Sequence, residues 1–163
     1  MYNKPLVPDN FVIPKSLETD EFLLAPLTVN HLIKDYDAVM SSVSHLTGLM
    51  GDDDWPSGLT LEENLADLGW HQTEFTFRTS FAYSVLTLDE QLCLGCCYIY
   101  PSVNSQYEVD AYYWIRADYL ASGLETRLGD SFKSWLEADW PFLRINFPSR
   151  KHGLVGANLS IIR

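Results

Sequence analysis

The chain has 163 residues and a formal net charge of −11, with 47% hydrophobic and 13% aromatic residues spread along it. That content excludes a disordered chain, the length suits one domain better than two marginal ones, and the charge opposes binding that neutralises nucleic-acid phosphates or anionic lipid. A cationic or amine-bearing partner fits this balance better.

Residues 1–20 are broken by prolines and polar residues and read as a loosely attached arm before the core. Phe22 to Leu27 reads as a first strand, after which Thr28 can cap a helix whose apolar positions Leu32, Ile33, Tyr36, Val39, Met40 and Val43 recur at helical spacing. The stretch SHLTGLMGDDDWPSG is a glycine-, aspartate- and proline-rich loop. Thr60 with Glu63 forms a capping-box pattern, and Leu61, Leu65 and Leu68 supply an apolar face for a second helix running towards Phe77.

SFAYSVLTL and LCLGCCYIY, separated by DEQ, read as an antiparallel hairpin, and YEVDAYYWIR continues as another strand. From Leu124, the residues Leu128, Phe132, Trp135 and Leu136 trace a helical stripe, and PFLRINF makes a last strand. Hairpin strands followed by a strand–helix–strand crossover imply a mixed sheet with helices packed against it. Cys93, Cys96 and Cys97 are an odd number crowded into one strand, where alternation separates Cys96 from the other two, so reduced thiols and no zinc site are expected. No apolar run is long enough to cross a bilayer, and MYNKPLVPDN holds no apolar block followed by a cleavage site, so the expected location is cytoplasmic.

The turn between the strand ending in WIR and the helix from Leu124 is the most informative segment. Early helical N–H groups lack intrahelical partners, the summed peptide dipole favours an anion there, and small residues allow one to approach closely. LGCCYIYP together with YYWIRADYLASGLETRLGDSFKSWL resembles the GNAT superfamily of N-acetyltransferases, particularly its ribosomal-protein acetyltransferase branch, and the element order from Phe22 to Phe147 is similar. The resemblance implies an α/β fold with a mixed, mostly antiparallel central sheet flanked by helices, occupying residues 21–148 between the arm and a tail of residues 149–163. It implies acetyl-CoA as co-substrate, held at its pyrophosphate by backbone amides of a Q/R-x-x-G-x-G/A turn, and acetyl transfer to a primary amine.

Carried onto this chain, the turn falls on LASGLE, with Gly123 at the central glycine; Ile115, Arg116, Ala121, Ser122, Gly123 and Leu124 are the residues expected to bind the carrier. Leu120 stands where Gln or Arg is expected, and Glu125 where Gly or Ala is expected. Glu125 either brings a carboxylate towards the phosphates, where like charges repel, or favours the helix dipole from the solvent side. The family's further helix, final hairpin and thiolate-protonating tyrosine have no matching room after FPSR, so no general acid is carried over; Tyr112 and Tyr113 are substitutes whose place on a core strand favours packing. A sheet edge left open there favours a homodimer.

Amine transfer needs a base beside the reacting nitrogen, and Glu108 and Asp110, on one side of the strand leading to the turn, are the catalytic candidates. Asp52, Asp53 and Asp54 before Trp55 form either a solvated loop or an amine-attracting edge. Glu74 and Arg78 read as a surface pair, with His71 one turn earlier. Two functions stay open: an acyl-CoA-dependent N-acetyltransferase acting on a small-molecule or protein amine, and a noncatalytic binding protein on the same scaffold.

Overall fold

Six strands form one sheet in the order of the sequence: β1 (Leu17–Glu18), β2 (Leu23–Pro26), β3 (Phe81–Leu86), β4 (Cys93–Pro101), β5 (Val109–Ile115) and β6 (Ile145–Asn146). The computed structural model describes residues 2–50 and 54–148. Every neighbouring pair is antiparallel except the last: β6 returns after a helix and runs parallel to β5, meeting it only at Val109–Ile145 and Asp110–Asn146. Beyond that pair β5 continues for five residues bonded to β4 and, among the described residues, to no strand on the β6 side, so the sheet forks there.

Helices cover both faces. Helix α4 (Leu124–Asp139) buries Leu124, Leu128, Phe132, Trp135 and Leu136, the stripe expected from the sequence, against Val109, Ala111 and Ile115 of β5. On the other face, α1 (Leu32–Met40), α2 (Val43–Leu46) and α3 (Leu61–Thr76) cover Cys96, Tyr98, Tyr100, Tyr112 and Trp114. The helix expected to start at Thr28 begins instead with a 3₁₀ turn, Val29–His31, capped by Thr28 Oγ1, and breaks at Ser41–Ser42. Both halves of the Thr60–Glu63 capping box form.

The face of α3 differs from the expected one. Leu61 and Leu65 are exposed, while Asn64, Leu68, His71 and Glu74 point inward. Spacings of four, three and three place these residues on one stripe, and a hydrophobic count overlooks them because three are polar.

Glu74 is not a surface partner of Arg78: it is fully buried, and its carboxylate accepts hydrogen bonds from Tyr2 N–H (3.1 Å), Thr79 Oγ1 and Ser80 Oγ. Arg78, at φ +63°, donates instead to the carbonyls of Pro8 and Phe11. With Leu6 N–H bonded to Arg78 O and Tyr83 Oη bonded to Pro14 O, the amino-terminal arm is stitched to the α3–β3 junction rather than loosely attached.

A bulge at Leu94 in β4 shifts the register, because Val85 faces Gly95 while Leu86 faces Cys93. It therefore returns Cys93 and Cys96 to one face and leaves Cys97 on the other, correcting the simple alternation. Among the described residues there is no group of metal-ligating side chains and no helix long and apolar enough to cross a membrane. Gly95 is required by close approach: a Cβ there would lie 2.9 Å from the backbone of Trp114 and Ile115. Gly95→Ala is expected to destabilise the fold by about 3 kcal/mol, since backbone cannot step aside, and urea unfolding monitored by tryptophan fluorescence checks this.

Candidate functional site

The fork is held open from its base. Glu108 Oε2 accepts from the N–H groups of Leu143 (2.8 Å) and Arg144 (2.9 Å), and Glu108 N–H returns a bond to Arg144 O. The carboxylate thereby fixes the entry of β6. Asp110 follows on the α1–α3 face, 2% exposed, and its Oδ1 accepts from Asn146 Nδ2 at 2.9 Å across the last parallel pair. After Asn146 the chain leaves the sheet, and Phe147 packs edge-on against Phe132 of α4 with ring centroids 6.2 Å apart. On that side Tyr107, Tyr113, Gly129, Lys133, Ile145 and Phe147 line part of an open groove of about 760 Å³.

The other end of β5 leads into the turn. Ile115 is buried, and Arg116 is 6% exposed because its guanidinium is consumed: Nε donates to Asp118 (2.7 Å), and Nη1 donates to Asp37 of α1 (3.1 Å) and to Cys93 O (3.2 Å). This arginine therefore orders the end of the strand. Residues Ala117–Ser122 wind into a 3₁₀ turn, tied to the α1–α2 break by Ala117 N–H to Ser42 Oγ at 2.8 Å. Gly123, at φ +79°, reverses the backbone into α4. The expected carrier residues Ala121, Ser122, Gly123 and Leu124 are thus gathered at one helix start, with Ile115 and Arg116 behind them.

Two side chains modify that helix start. Ser122 Oγ accepts from Leu124 N–H at 3.2 Å, and the first helical bond is Arg127 N–H to Gly123 O. Arg127 Nη1 donates to Ser122 O at 2.9 Å, while Nε and Nη2 grip the Glu21 carboxylate at 2.7 and 3.0 Å. A cation thus stands at the turn although Leu120 lacks one. Glu125 is half-buried in the first turn of α4.

No family model matches the chain, and none of the curated proteins does. Solved structures match well. The ribosomal-protein-S5-alanine acetyltransferase from Vibrio fischeri superposes with a TM-score of 0.67 at 14% identity, over 85% of this chain and 76% of that one. The fold is that of the GNAT N-acetyltransferases. Two more GNAT-fold structures were solved with ligands: the microcin C7 self-immunity acetyltransferase with acetyl-CoA and AMP (TM-score 0.59, 12% identity, 80% and 71% covered), and the ribosomal L7/L12 alpha-N-protein acetyltransferase with coenzyme A (0.58, 15%, 78% and 69%).

Within this GNAT fold, the α1–α3 face carries a polar set that the sequence pattern concealed. Asp35 of α1 is 3% exposed, accepting from Asn64 Nδ2 at 2.8 Å and from Cys96 Sγ at 3.6 Å. A cavity of about 30 Å³ beside it is lined by Asp35, Asn64, Asp67, His71, Tyr98 and Tyr100, among others. The apolar spacing around Asp35 was the available signal: it lies between Leu32 and Val39 on the inner helical stripe. Of the acidic loop, Asp54 and Trp55 belong to a neighbouring cavity, and Asp52 and Asp53 lie outside the described residues.

Burial pushes the Asp35 carboxyl up to about 6, against the hydrogen bonds from Asn64 and Cys96 that favour its charged form. A carboxyl whose folded-state value exceeds its unfolded one stabilises the fold fully below the unfolded value, and this contribution is lost as pH rises towards the folded value. Between pH 4 and 7 the wild type should therefore lose about 2 kcal/mol through this group. Subtracting the denaturation pH profile of Asp35→Asn from that of the wild type should reveal this decline.

Proposed function

We propose that this protein is an acyl-CoA-dependent N-acyltransferase, with acetyl-CoA as donor and a primary amine as acceptor. The observation that carries this reading is the fork itself: Asp110 at its crotch, five further residues of β5 alongside the opening, and the Gly123 turn at the far end. Ala111 to Ile115 span roughly 16 Å of extended backbone, a length suited to an extended carrier arm. Backbone donors from Ala121 to Leu124 would meet the pyrophosphate, and the N-terminal end of α4 favours its charge. That two solved structures of this fold hold coenzyme A or acetyl-CoA supports the same assignment.

Asp110 is the proposed general base. It would accept a proton from the amine, directly or through water, as the nitrogen bonds to the thioester carbonyl carbon; the carbon–sulfur bond would then break, with coenzyme A leaving as the thiolate and taking its proton from solvent. Glu108 is given the positioning role its bonds to Leu143 and Arg144 support. On this face Asp110 lies opposite Tyr100 and two residues from Tyr112 on the same strand, a carboxylate among rings that suits an amine of either a small molecule or a protein.

A second reading rests on the turn. Ser122 Oγ already holds Leu124 N–H, and Arg127 is committed to Glu21 and Ser122 O, an arrangement that would suit a scaffold keeping its shape without binding phosphate. Thiol release from acetyl-CoA over a panel of amines separates the two readings, because sustained turnover excludes the noncatalytic one. In the transferase reading, Asp110→Asn lowers kcat about 100-fold while calorimetric affinity for acetyl-CoA changes by less than about twofold.

A further inference from the structure

In this structure the proposed base is closed off. Asp110 is 2% exposed, and Tyr112, two residues on along the same face of β5, is fully buried. Neither lines the cavities described above. Packed over them from the amino-terminal arm is Tyr2. Its ring lies against Tyr100, the residue opposite Asp110 in the β4–β5 register, and against Trp70 of α3, with both centroids 6.4 Å away. Burial together with the charge of Asp110 keeps the Tyr2 and Tyr112 phenols protonated, Glu74 adding to the effect on Tyr2, so both hydroxyls lie within reach of the Asp110 carboxylate. Tyr2 is only half-buried, yet its Oη is out of reach of solvent. The cover over this compartment is therefore one side chain thick.

That cover is weakly fastened. Tyr2 Oη and Tyr112 Oη are buried with no hydrogen-bond partner among the described residues, so each has lost its bonds to water without replacement. Withdrawing the Tyr2 ring returns water to both. Besides its ring contacts, Tyr2 is held by its backbone N–H, which donates to Glu74 Oε1 at 3.1 Å. Behind it Asn3, Lys4 and Pro5 are exposed. Firm attachment starts at Leu6, whose N–H bonds Arg78 O at 2.8 Å, and continues through buried Val7, the Pro8 and Phe11 carbonyls held by Arg78, and Pro14 O held by Tyr83. Residues 2–5 thus form a short flap with an anchored base and a tip whose seat leaves two polar groups unsatisfied. Segments with so few buried contacts open locally well before the fold as a whole.

We infer that residues 2–5 are a lid, with the Tyr2 ring as its latch, that opens to admit solvent and substrate to Asp110 and Tyr112. That the substrate is an acyl acceptor rests on the transferase reading; the opening itself does not. Closed, the lid keeps bulk water from the carboxylate, and open, it exposes the base to the group that will lose a proton. Tyr2 sets access to the base without touching the reacting atoms.

Nitration of the full chain by tetranitromethane, read residue by residue by peptide mass spectrometry, follows the opening. In the wild type Tyr112 should react at least about tenfold faster than Tyr98, which is buried on the same face against His71 of α3 and is not uncovered by the lid. Tyr2→Ala should speed Tyr112 at least about tenfold more while leaving Tyr83, whose hydroxyl bonds Pro14 farther along the arm, unchanged. Tyr2→Phe, which keeps the ring and drops a hydroxyl that has no partner, should protect Tyr112 at least as well as the wild type does. With acetyl-CoA and an amine that the wild type acetylates, Tyr2→Ala should lower the KM for the amine at least about fivefold, because the closed fraction no longer reduces apparent affinity. Tyr112 reacting no faster than Tyr98, a Tyr112 rate or an amine KM that Tyr2→Ala leaves unchanged, or Tyr83 rising with Tyr112 through general loosening would each overturn the inference. Nitration that depends on Tyr2 in a chain that turns over no amine would sustain the lid and remove the transferase reading; turnover in a chain whose Tyr112 ignores Tyr2 would do the reverse.

Discussion

The arrangement depends on a parallel pairing only two residues long. Had β6 followed β5 to its end, Asp110 would lie inside a continuous sheet and the turn at Gly123 would cap a closed layer. Glu108 and Asn146 set the limit: one carboxylate fixes the backbone that enters β6, and one side-chain amide closes the last rung. Past it, Phe147 turns towards α4, and among the described residues β5 has no strand partner on that side. An open strand edge inside a folded domain is a liability unless something occupies it, and a polar extended ligand is a natural occupant.

The two faces of the sheet divide the chemistry. The α4 face is a packed apolar core, with Phe132, Trp135 and Trp140 among its rings, and it fixes the helix that Gly123 opens. The α1–α3 face is mixed, with Asp35, Asn64, His71, Glu74 and Asp110 buried among tyrosines. Burying these carboxylates opposes folding unless they are bonded. Glu74 meets that requirement by binding the arm, and Asp35 by binding Asn64 and Cys96. Cys96 is in turn held protonated by its hydrogen bond with Cys93, by burial and by the charge of Asp35, so the cysteines serve as packing and weak donors.

Much of the fold was legible in the sequence because its signals were local. The Thr60–Glu63 box, the Leu124–Leu136 stripe and the β-rich hairpin each report their own conformation, and the GNAT likeness supplied their order. The contents of the mixed face were not legible, because hydrophobic periodicity ranks Leu61 and Leu65 above Asn64, His71 and Glu74 as inward-facing residues, whereas the fold reverses that order. Glu74 with Arg78 four residues on looks like a solvent-exposed pair until tertiary structure sends the arm between them. The bulge at Leu94 and the return of Arg127 to the turn arise from contacts with distant strands, for which no local pattern exists. The positions of Asp110 on its strand and of Gly123 at the helix start were legible from local pattern; the ring of Tyr2 against Tyr100 and Trp70 was not, since nothing in a proline-broken arm announces where its ring will come to rest.

Arg116 has a mechanical consequence. Its guanidinium bridges the carbonyl of Cys93, Asp37 on α1 and Asp118 in the 3₁₀ turn, and its neighbour Ala117 is bonded to Ser42 at the end of the same helix. Asp37 and Asp35 lie two residues apart on α1, so the anchor of this turn and the buried carboxylate share one helix. A shift of this turn is therefore passed to the helix that carries Asp35, and any such coupling acts equally in both directions.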